Sequence, residues 1–299
     1  MRASVIIPCR NAERTVADAV ASALAQSEPA LEVLVVDDAS SDASGAVARR
    51  AGARVLVNAT RRNAGGARNA GIEATSGELL AFLDADAVAA PDWLSRARRA
   101  FEADSSIAGV GGRIVNGRLS RYGDLDYFLN HSEWIAGGRA GEKASIPTMA
   151  IVYRRDSVGT ARFPESNSGE DTAFALAVAS RGGRLWWDPE IVVTHRHERL
   201  DFHAFWEKQV ACGRTIFLTR SGLDRPGRIL VKAPPLLFLF PHLWITLARM
   251  VRAGYAGKAV TLLPWLLLGE IARIRGFFEA RRESRLAPGR AKTAREARA

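Results

Sequence analysis

The chain has 299 residues, 47% hydrophobic and 25% charged, an ordinary globular composition with ample material for the core of one large domain or two modest ones. The formal net charge of +10 suggests an anionic partner such as nucleic acid, acidic lipid headgroups or a phosphorylated substrate. The only cysteines, Cys9 and Cys212, lie far apart, which argues against a disulfide framework or a zinc site and fits a reducing cytosol.

The first part of the chain alternates predicted strands with predicted helices. The strands are SVIIPC, LEVLVVDDAS, RVLVN and LLAFLDAD. The helices are RTVADAVASALAQ, ASGAVARRAG and GGARNAGIEATSG, the last closed by Gly77. The N-terminus, MRASVIIPCRNAE, is interpreted as a first strand rather than a signal peptide, because its apolar stretch is very short. This alternation predicts parallel βαβ units with helices covering the sheet.

Polar residues follow three of these predicted strands. The clusters are Pro8-Cys9-Arg10-Asn11, Asp37-Asp38-Ala39-Ser40 and Asp84-Ala85-Asp86. In open parallel sheets, ligands bind beyond the carboxyl ends of the strands. We therefore expect all three clusters to converge on one crevice.

From about residue 110 the pattern loosens. GVGGRIVNG and RLWWDPEIVVTHRHE are interpreted as strands, TAFALAVASRGG as a helix, and FHAFWEKQVACGRTIFLTR as an amphipathic helix. The stretch RYGDLDYFLNHSEWIAGGRAGEK is polar and aromatic without a clear period. We expect this region to continue the same sheet and to carry a second partner site.

Two apolar segments follow, at 233–248 and 259–269. Each is shorter than the roughly 20 residues that a helix needs to span a bilayer, and both contain proline. One interpretation is a pair of buried core helices. The favoured one is membrane contact by short re-entrant or interfacial helices, because tryptophans and arginines suit an anionic cytoplasmic leaflet. Those residues are Trp244, Trp265, Arg249, Arg252, Arg273 and Arg275.

Asp84 and Asp86 end a hydrophobic strand, and three interpretations compete for them. They are a solvated strand end, the nucleophile site of a hydrolase resembling the haloacid dehalogenases, or a divalent metal site. Two carboxylates so close raise each other's pKa unless a cation lies between them. Hard carboxylate oxygens hold Mg²⁺ or Mn²⁺, and such an ion bridges to a diphosphate.

The surrounding sequence favours a metal and nucleotide site. A complete βαβαβ unit precedes Asp84, whereas the dehalogenase motif normally follows an early strand. The pair Asp37-Asp38 offers an acceptor for the N–H of a pyrimidine ring or for ribose hydroxyls. The segment RNAGGARNAG adds Asn63, the glycines at 65 and 66, Arg68 and Asn69. Arginine neutralises a diphosphate in bidentate fashion.

In this order and spacing, the sequence resembles the family-2 glycosyltransferases from residue 3 to about residue 215. The resemblance is carried by SVIIPCRNAERTVADAVASALAQ, LEVLVVDDASSD and NAGGARNAGIEATSGELLAFLDADAV, although Cys9-Arg10 replaces the more usual aromatic residue before Asn11. It implies a GT-A fold: α/β and Rossmann-like, with a mixed, mainly parallel sheet, flanking helices and here C-terminal hydrophobic helices. It also implies a nucleotide-sugar donor and Mn²⁺ or Mg²⁺.

The resemblance implies roles for individual residues. Pro8, Asn11, Glu13 and Asp38 would border the base and ribose of the donor, with Arg68 nearby. Asp84 would contact ribose or metal, and Asp86 would be the principal metal ligand. The predicted donor site also includes Arg10, Asp37, Asn63, Gly66 and Ala85. His195 follows the strand EIVVT, where a lone histidine is more often a polar strand end, but some GT-A enzymes use a histidine in this region as a metal ligand.

Sugar transfer to an alcohol needs a group that takes the hydroxyl proton. Glu170 and Asp171 follow a glycine at the start of a predicted helix, where acidic residues also stabilise the helix N-terminus. The family's catalytic Glu-Asp motif falls at this place, so Asp171 is predicted as the general base and Glu170 as an acceptor-positioning residue. Arg113, Trp186 and Trp187 are predicted on the acceptor side, with packing an equal alternative.

The overall prediction is a metal-dependent, inverting glycosyltransferase at the cytoplasmic face of the membrane. It would use a UDP- or GDP-sugar and a lipid-linked or envelope-polysaccharide hydroxyl. QVACGR lacks the tryptophan of the Q-x-x-R-W element of processive synthases, so we expect one sugar per encounter. The alternatives are a phosphate-ester hydrolase with Asp84 as nucleophile, a nucleotidyltransferase, a nucleic-acid-binding protein and an inactive homologue.

The predicted organisation has four parts. Residues 1–112 form a nucleotide-sugar-binding half and residues 113–226 an acceptor-binding half of the same domain. Residues 227–278 form membrane-associated hydrophobic helices. Residues 279–299 form a basic, disordered tail.

Overall fold

The computed structural model describes residues 1–117, 120–135, 138–165, 169–196, 201–221 and 236–286. The strands are β1 (Ala3–Cys9), β2 (Glu32–Asp37), β3 (Arg54–Val57), β4 (Leu79–Leu83), β5 (Ala87–Ala89), β6 (Ile107–Asn116), β7 (Gly141–Lys143), β8 (Ala150–Arg154) and β9 (Arg184–His195). The helices are α1 (Val16–Leu24), α2 (Ser44–Arg50), α3 (Asn63–Ala74), α4 (Trp93–Ala103), α5 (Arg121–His131), α6 (Arg155–Val158), α7 (Glu170–Ala179), α8 (Phe202–Ser221), α9 (Leu236–Arg252) and α10 (Ala256–Leu286).

The chain divides into two compact units that interleave along the sequence. The first comprises Met1–Arg118 and Trp134–Glu198, and the second comprises Leu119–Glu133 and Arg199–Ala299. This division differs from the predicted one, which placed a boundary at residue 112 and kept residues 113–226 with the sheet. The difference arises because α5 and α8 belong to the second unit.

One mixed sheet organises the first unit, and its described strands follow the order β3-β2-β1-β4-β8-β6-β9-β5, with β7 also pairing with β9. Strands β1 to β4 run parallel to one another. Strand β8 is antiparallel to both β4 and β6, and β6 is parallel to β9. The predicted α/β architecture with a mainly parallel sheet is confirmed.

The core of this unit lies on both faces of the parallel strands. β4 is buried along its whole length, as expected for a strand covered by helices on both sides. Helix α3 packs closely on β1, because a Cβ at Gly71 would lie 2.3 Å from Ile6. Gly77 does not close α3 as predicted. The helix ends before Thr75, and Gly77 instead allows close approach to Ser4, whose backbone nitrogen would lie 2.5 Å from an added Cβ.

The second unit is helical in its described part and contains α5, α8, α9 and α10. Helix α5 was not predicted, because its buried residues include Asp126 beside Leu125 and Tyr127 and leave no clear apolar period. A buried polar network joins three helices: Arg273 donates to Gln209 Oε1 at 2.8 Å and to Asn130 Oδ1 at 2.8 Å. Gln209 and Arg273 therefore hold helices together.

The two apolar segments fall in α9 and α10, apart from residues 233–235, which lie outside the described residues. Two of the predicted membrane-facing residues make contacts within the unit: Arg273 is buried, and the half-buried Trp265 contacts Tyr122 and the guanidinium of Arg121. None of the described helices is both long and apolar enough to cross a bilayer. Helix α10 continues to Leu286, so disorder was wrongly predicted for 279–286, and residues 287–299 lie outside the described part.

Candidate active site

The paired carboxylates lie in a turn between two strands. Asp84, Ala85 and Asp86 follow β4 and precede β5, and the backbone N–H of Ala87 donates to the carbonyl of Asp84 at 3.0 Å. The two side chains are partly exposed, 26% for Asp84 and 31% for Asp86, whereas Ala85 is buried. The turn, and not the alternating side-chain directions of a strand, therefore determines where the Asp84 and Asp86 carboxylates lie.

Arg68 connects this turn to a second acidic motif. Its Nη2 donates to Asp84 Oδ1 at 2.9 Å, and its Nη1 donates to Glu170 Oε1 at 3.1 Å. The side chain is only 4% exposed. Arg68 was predicted to neutralise a diphosphate, but in the structure both terminal nitrogens of its guanidinium are engaged by carboxylates of the protein.

The charges around Arg68 favour its ionised form. Burial acts to lower the pKa of the guanidinium, but the negative charges of Asp84, Glu170 and Asp171 outweigh it, and the pKa lies above its ordinary value. A buried charge is stable only when it is paired and hydrogen-bonded. The contribution of Asp171 also indicates that its carboxylate lies near this cluster.

His195 lies beside the second aspartate. Its Nε2 is 3.2 Å from Asp86 Oδ2, and the backbone N–H of Arg196 donates to the carbonyl of Asp86 at 2.7 Å. Antiparallel pairing of β5 with β9, with Ala87 opposite His195, brings the two together. The histidine that the sequence placed at a strand end is thus next to the predicted principal metal ligand.

The side chains at this turn fit a divalent cation whose coordination sphere is completed by phosphate oxygens. Asp86 offers carboxylate oxygens and His195 an imidazole nitrogen, ligand types that Mn²⁺ accepts. Within the part of the chain that the structure describes, no three His, Cys, Asp or Glu side chains converge as a metal site. Mg²⁺-type sites commonly take one or two protein carboxylates and the oxygens of substrate phosphates. Asp86, beside His195, could supply such a carboxylate, while Asp84 in the same turn is held by Arg68.

The loops after β1 and β2 are tied together by predicted donor-site residues. Asn11 Oδ1 accepts from the backbone N–H of Ser41 at 2.9 Å, and Glu13 Oε2 accepts from that of Ala43 at 3.0 Å. Asn11 has a left-handed backbone with φ of 48°. Arg10 is exposed and Pro8 is half-buried at the end of β1. Asn11 and Glu13 therefore shape this edge by fixing its backbone.

Asp37, the last residue of β2, and Asp38, which follows it, are both buried. Asp38 Oδ1 accepts hydrogen bonds from Asn58 Nδ2 at 2.9 Å and from the backbone N–H of Arg62 at 2.8 Å. Asp37 Oδ1 accepts from the backbone N–H of Ser40 at 3.0 Å. The sequence predicted a free acceptor here, but one oxygen of Asp38 already holds the loop that leads into α3.

The start of α3 is built for close contact with the segment before α7. A Cβ at Gly65 would lie 2.1 Å from the carbonyl oxygen of Pro164, and one at Gly66 would lie 2.4 Å from the Cβ of Arg62. Asn63 has a left-handed backbone with φ of 61°. Asn63 and Gly66, predicted donor-site residues, thus bring this helix end and its neighbours together.

Asn69, which the sequence placed with Asn63 and Arg68 near the nucleotide and metal site, is a positioning residue in the structure. Its side chain donates to the carbonyl of Phe163 at 2.8 Å and accepts from the N–H of Phe163 at 2.9 Å. This pair of hydrogen bonds fixes the chain shortly before Glu170. The repeated Arg-Asn in RNAGGARNAG is the available sequence signal, but the partner lies 94 residues away.

Glu170 and Asp171 occupy the first turn of α7, after Gly169, whose φ of 76° is left-handed. Glu170 is 13% exposed and is held by Arg68. Asp171 is half-buried, and its Oδ1 accepts from the backbone N–H of Thr172 at 2.7 Å. Helix capping and a chemical role are thus compatible at Asp171, whereas Glu170 acts as a partner of Arg68.

Tyr153 lies beneath this cluster and was missed by sequence reasoning. Burial raises its pKa well above the ordinary value, and the charge of Asp171 raises it further. Its ring packs against those of Phe82 and Phe174, and its hydroxyl has no hydrogen-bond partner among the described residues. In IVYRRD this tyrosine is an ordinary strand residue, so the sequence carried no signal.

The predicted acceptor-side residues do not form one group. Trp187 is buried at 2% exposure, with the ammonium of Lys143 5.7 Å from its ring, so it packs in the interior. Trp186, the next residue on β9, is half-buried. Arg113 lies on β6 opposite Val192, and its Nε is buried with no partner among the described residues. Arg113 and Trp186 remain candidates for the acceptor side.

Comparisons with known proteins agree with this geometry. A sequence model described as Glycosyl transferase family 2 matches residues 4–157, about half of the chain. The succinoglycan biosynthesis protein ExoO of Rhizobium meliloti (strain 1021) is 45% identical over 107 residues, 34% of this chain and 31% of that protein. The putative teichuronic acid biosynthesis glycosyltransferase TuaG of Bacillus subtilis (strain 168) is 27% identical over 199 residues, 64% of this chain and 78% of that protein. The chain thus spans about a third of the ExoO relative's length.

A solved structure shows the same fold. The mannosyltransferase PcManGT from Pyrobaculum calidifontis, in complex with GDP-Man and Mn²⁺, superposes with a TM-score of 0.63 at 19% sequence identity. The match covers 93% of this chain and 86% of that one. The predicted GT-A architecture is confirmed.

Proposed function

Because the chain belongs to glycosyl transferase family 2, we propose that it transfers a sugar from a nucleotide-diphosphate sugar to a hydroxyl group of an acceptor. The match spans β1 to β4 and the Asp84–Asp86 turn, which are the predicted donor-binding parts. The names of two relatives support envelope-polysaccharide synthesis as the setting. The GDP-Man and Mn²⁺ of the mannosyltransferase support the class of donor and cofactor.

The observation that carries this proposal is the Arg68 bridge. One buried guanidinium binds Asp84 of the turn after β4 and Glu170 at the start of α7. A transferase needs a donor-phosphate site and a proton acceptor within one substrate's length, and this bridge fixes two acidic motifs at that separation. Preorganised charges of this kind do not have to reorient during the reaction.

On the donor side, the chain binds and orients the nucleotide. The loops fixed by Asn11 and Glu13 and the buried Asp38 line the edge at which the parallel strands end. The second oxygen of Asp38 is suited to the N–H of a uracil or guanine ring or to a ribose hydroxyl. This chemistry fits UDP- and GDP-sugars.

Asp86 and His195 would hold a divalent cation, Mn²⁺ or Mg²⁺, with Asp84 held beside them by Arg68. When bound, such an ion stabilises the charge that develops on the departing diphosphate. Asp86 supplies carboxylate oxygen and His195 supplies imidazole nitrogen.

On the acceptor side, Asp171 takes the proton. The acceptor oxygen forms a bond to the anomeric carbon while the bond from that carbon to the diphosphate oxygen breaks, and the hydroxyl proton moves to the Asp171 carboxylate. Direct displacement of this kind inverts the anomeric configuration. Arg68 fixes Glu170, the residue before the base, so it also limits where the Asp171 carboxylate can move.

The acceptor class follows from the setting. A hydroxyl on a lipid-linked or envelope polysaccharide fits the names of the relatives and the net charge of +10, which attracts anionic surfaces. Transfer of one sugar per encounter stays the prediction, because the element around Gln209 lacks the tryptophan of processive synthases.

A phosphate-ester hydrolase with Asp84 as nucleophile is less well supported. The charge-assisted hydrogen bond from Arg68 withdraws electron density from the Asp84 carboxylate and makes it a poorer nucleophile. Such an enzyme would accumulate phosphate on Asp84 and would not need Asp171.

The test compares donor binding with turnover. Asp171→Asn should still bind the donor in the presence of Mn²⁺. Its turnover is measured as the release of nucleoside diphosphate from UDP- and GDP-sugars, with envelope-lipid extract as the acceptor. That rate should fall by roughly 100-fold or more, because general-base catalysis contributes roughly 10²–10⁴-fold. Asp156→Asn is the control, because Asp156 is also in the first turn of a helix but is exposed on α6. Normal turnover by Asp171→Asn would show that the base lies elsewhere, and phosphate trapped on Asp84 would favour the hydrolase.

A further inference from the structure

A row of exposed apolar side chains runs along one face of α10. Val260 is 75% exposed, and Leu263, Leu267, Ile271 and Phe278 are 37% to 48% exposed. They follow one another at intervals of three, four, four and seven residues, so with 3.6 residues per turn they share one face. We call these residues the apolar stripe. A contiguous exposed apolar surface of this kind marks an interaction site.

Arginines continue the same face beyond the apolar stripe. Arg281, Arg282 and Arg285 follow Phe278 at three, four and seven residues, which places them on the stripe side in the last turns of α10. Arg282 and Arg285 are exposed and Arg281 is half-buried. The face is therefore apolar over about five turns and basic at its end.

The acidic residues of α10 point elsewhere. Glu270 is buried, with its Oε1 2.6 Å from His242 Nδ1. Glu279 and Glu283 both accept hydrogen bonds from Arg214 of α8, at 2.8 Å and 3.0 Å. The three carboxylates of α10 are thus each paired with a side chain of α8 or α9.

We propose that this apolar and basic face of α10 binds the surface of an anionic membrane. The apolar stripe enters the acyl boundary while Arg281, Arg282 and Arg285 contact lipid phosphates, as in interfacial amphipathic helices. Basic side chains close to a helix at the bilayer surface attract the anionic lipid headgroups. Trp244, 73% exposed on the neighbouring helix α9, is a further side chain suited to the interface.

The charge pattern favours a membrane over a second copy of the chain. Two stripes packed antiparallel would place the arginines of one copy on the apolar end of the other, and two packed parallel would place arginine on arginine. Both arrangements desolvate guanidinium groups without an acidic partner. A lipid surface supplies an apolar layer and phosphates at adjacent depths, which matches the order of residues on α10.

The binding face is independent of the proposed transfer chemistry, because none of its residues belongs to the candidate active site. It gives the proposed enzyme a location at the leaflet that carries anionic lipid, which is the cytoplasmic face of the cell membrane. Arg273 and Trp265, predicted from sequence to face lipid, are not part of it, since Arg273 is buried and Trp265 packs against Tyr122.

Co-sedimentation of the full chain with vesicles tests the proposal. The protein binds vesicles containing phosphatidylglycerol at least tenfold more tightly than phosphatidylcholine vesicles, and added salt weakens binding. Leu267→Gln/Ile271→Gln weakens binding at least tenfold, whereas Leu24→Gln/Val57→Gln, two equally exposed apolar residues of the first unit, does not. Arg281→Gln/Arg282→Gln/Arg285→Gln removes the lipid preference, and Arg50→Gln/Arg99→Gln/Arg139→Gln, with the same charge change, keeps it.

The contrary results are equally specific. The proposal fails if the wild-type chain stays in the supernatant or if the stripe and arginine variants bind like wild type. It also fails if analytical ultracentrifugation shows a dimer that Leu267→Gln/Ile271→Gln dissociates, since the stripe would then bind a second copy. Donor binding by the same variants is measured in parallel. Its retention separates the failure of this proposal from the failure of the proposed function.

Discussion

Arg68 donates to Asp84, 16 residues away in sequence, and to Glu170, 102 residues away. The sequence shows an arginine near an acidic motif and suggests a phosphate ligand. The structure shows a side chain that is already neutralised and that sets the distance between two motifs. Its fork-shaped guanidinium can bind two carboxylates at once, which an ammonium group cannot do with the same geometry.

Replacing Arg68 by lysine tests this role. Arg68→Lys keeps the positive charge but loses the planar guanidinium that binds both carboxylates. We therefore expect the free energy of unfolding to fall by about 1–3 kcal/mol. The transfer rate should fall by roughly 10- to 100-fold, because the two acidic motifs would be misplaced. Chemical unfolding and nucleotide-release assays measure the two effects. Arg62→Lys is the matched control, because the Arg62–Glu165 pair is exposed and worth at most about 1 kcal/mol. If both variants changed the free energy of unfolding and the transfer rate equally, Arg68 would have no special role in positioning the acidic motifs.

Cys9 makes stability depend on pH. Burial, the largest effect, raises the pKa of its thiol to about 12. The folded state therefore holds this proton above the ordinary pKa of about 8.5, while the unfolded chain releases it. Stability is fully present below that pKa and is lost as pH rises toward 12.

The expected loss between pH 8 and pH 10 is about 2 kcal/mol in the free energy of unfolding from this thiol. Urea unfolding at the two pH values measures it. Cys9→Ala reduces the pH dependence by that amount, and Cys212→Ala, which keeps Cys9, retains it. An unchanged dependence in Cys9→Ala would mean that the thiol ionises in the folded protein as it does in the unfolded one.

At the scale of elements, α3 shows why glycines occur in the middle of a helix. Glycine disfavours helix relative to alanine by about 1 kcal/mol, yet α3 contains Gly65, Gly66 and Gly71. At Gly65 the carbonyl of Pro164 occupies the space that a Cβ would need, and at Gly71 the side chain of Ile6 does. These glycines lower the helix propensity of α3, but they allow it to lie close to the segment before α7 and to the sheet.

Gly65→Ala should therefore destabilise the protein in spite of alanine's higher helix propensity. A Cβ 2.1 Å from the Pro164 oxygen forces the backbone apart, at about 1–3 kcal/mol. The midpoint temperature of thermal unfolding and the affinity for the donor should both fall. Gly257→Ala in α10 is the matched helical control, since an added Cβ there meets no atom within 4 Å, and it should be neutral or slightly stabilising. Two equally harmless variants would contradict the close contact at Pro164.

The elements themselves were largely predictable, and their exceptions have physical causes. The apolar runs gave β1 to β4, because strands buried on both faces are continuously hydrophobic. Helix α5 escaped because tertiary packing buries Asp126 among apolar residues. The hydrogen bonds of Asn69 and the burial of Tyr153 beneath the acidic cluster were not predicted, because their neighbours come from distant parts of the chain and a single sequence records no such contact.

For the molecule as a whole, composition and charge suggested an anionic partner but not the surface that would contact it. The units interleave, so the change in composition near residue 227 does not mark the boundary between them. The basic and apolar C-terminal region pointed to a membrane, yet only the structure separates the exposed Val260 and Leu267 from the buried Arg273. The sequence indicated the acidic motifs at Asp84 and Glu170, whereas the bridge that Arg68 forms between them required the fold.

The most direct measurement is calorimetric titration of UDP and GDP, and of their sugars, into the wild-type chain with Mn²⁺ and with EDTA. At least one of these ligands should bind with Mn²⁺, and both EDTA and the Asp86→Ala substitution should abolish that binding. Asp171→Asn should bind like wild type, because the base lies on the acceptor side. Binding that survives both EDTA and Asp86→Ala, or no binding by any of these ligands, would contradict a metal-assisted donor site between Asp86 and His195.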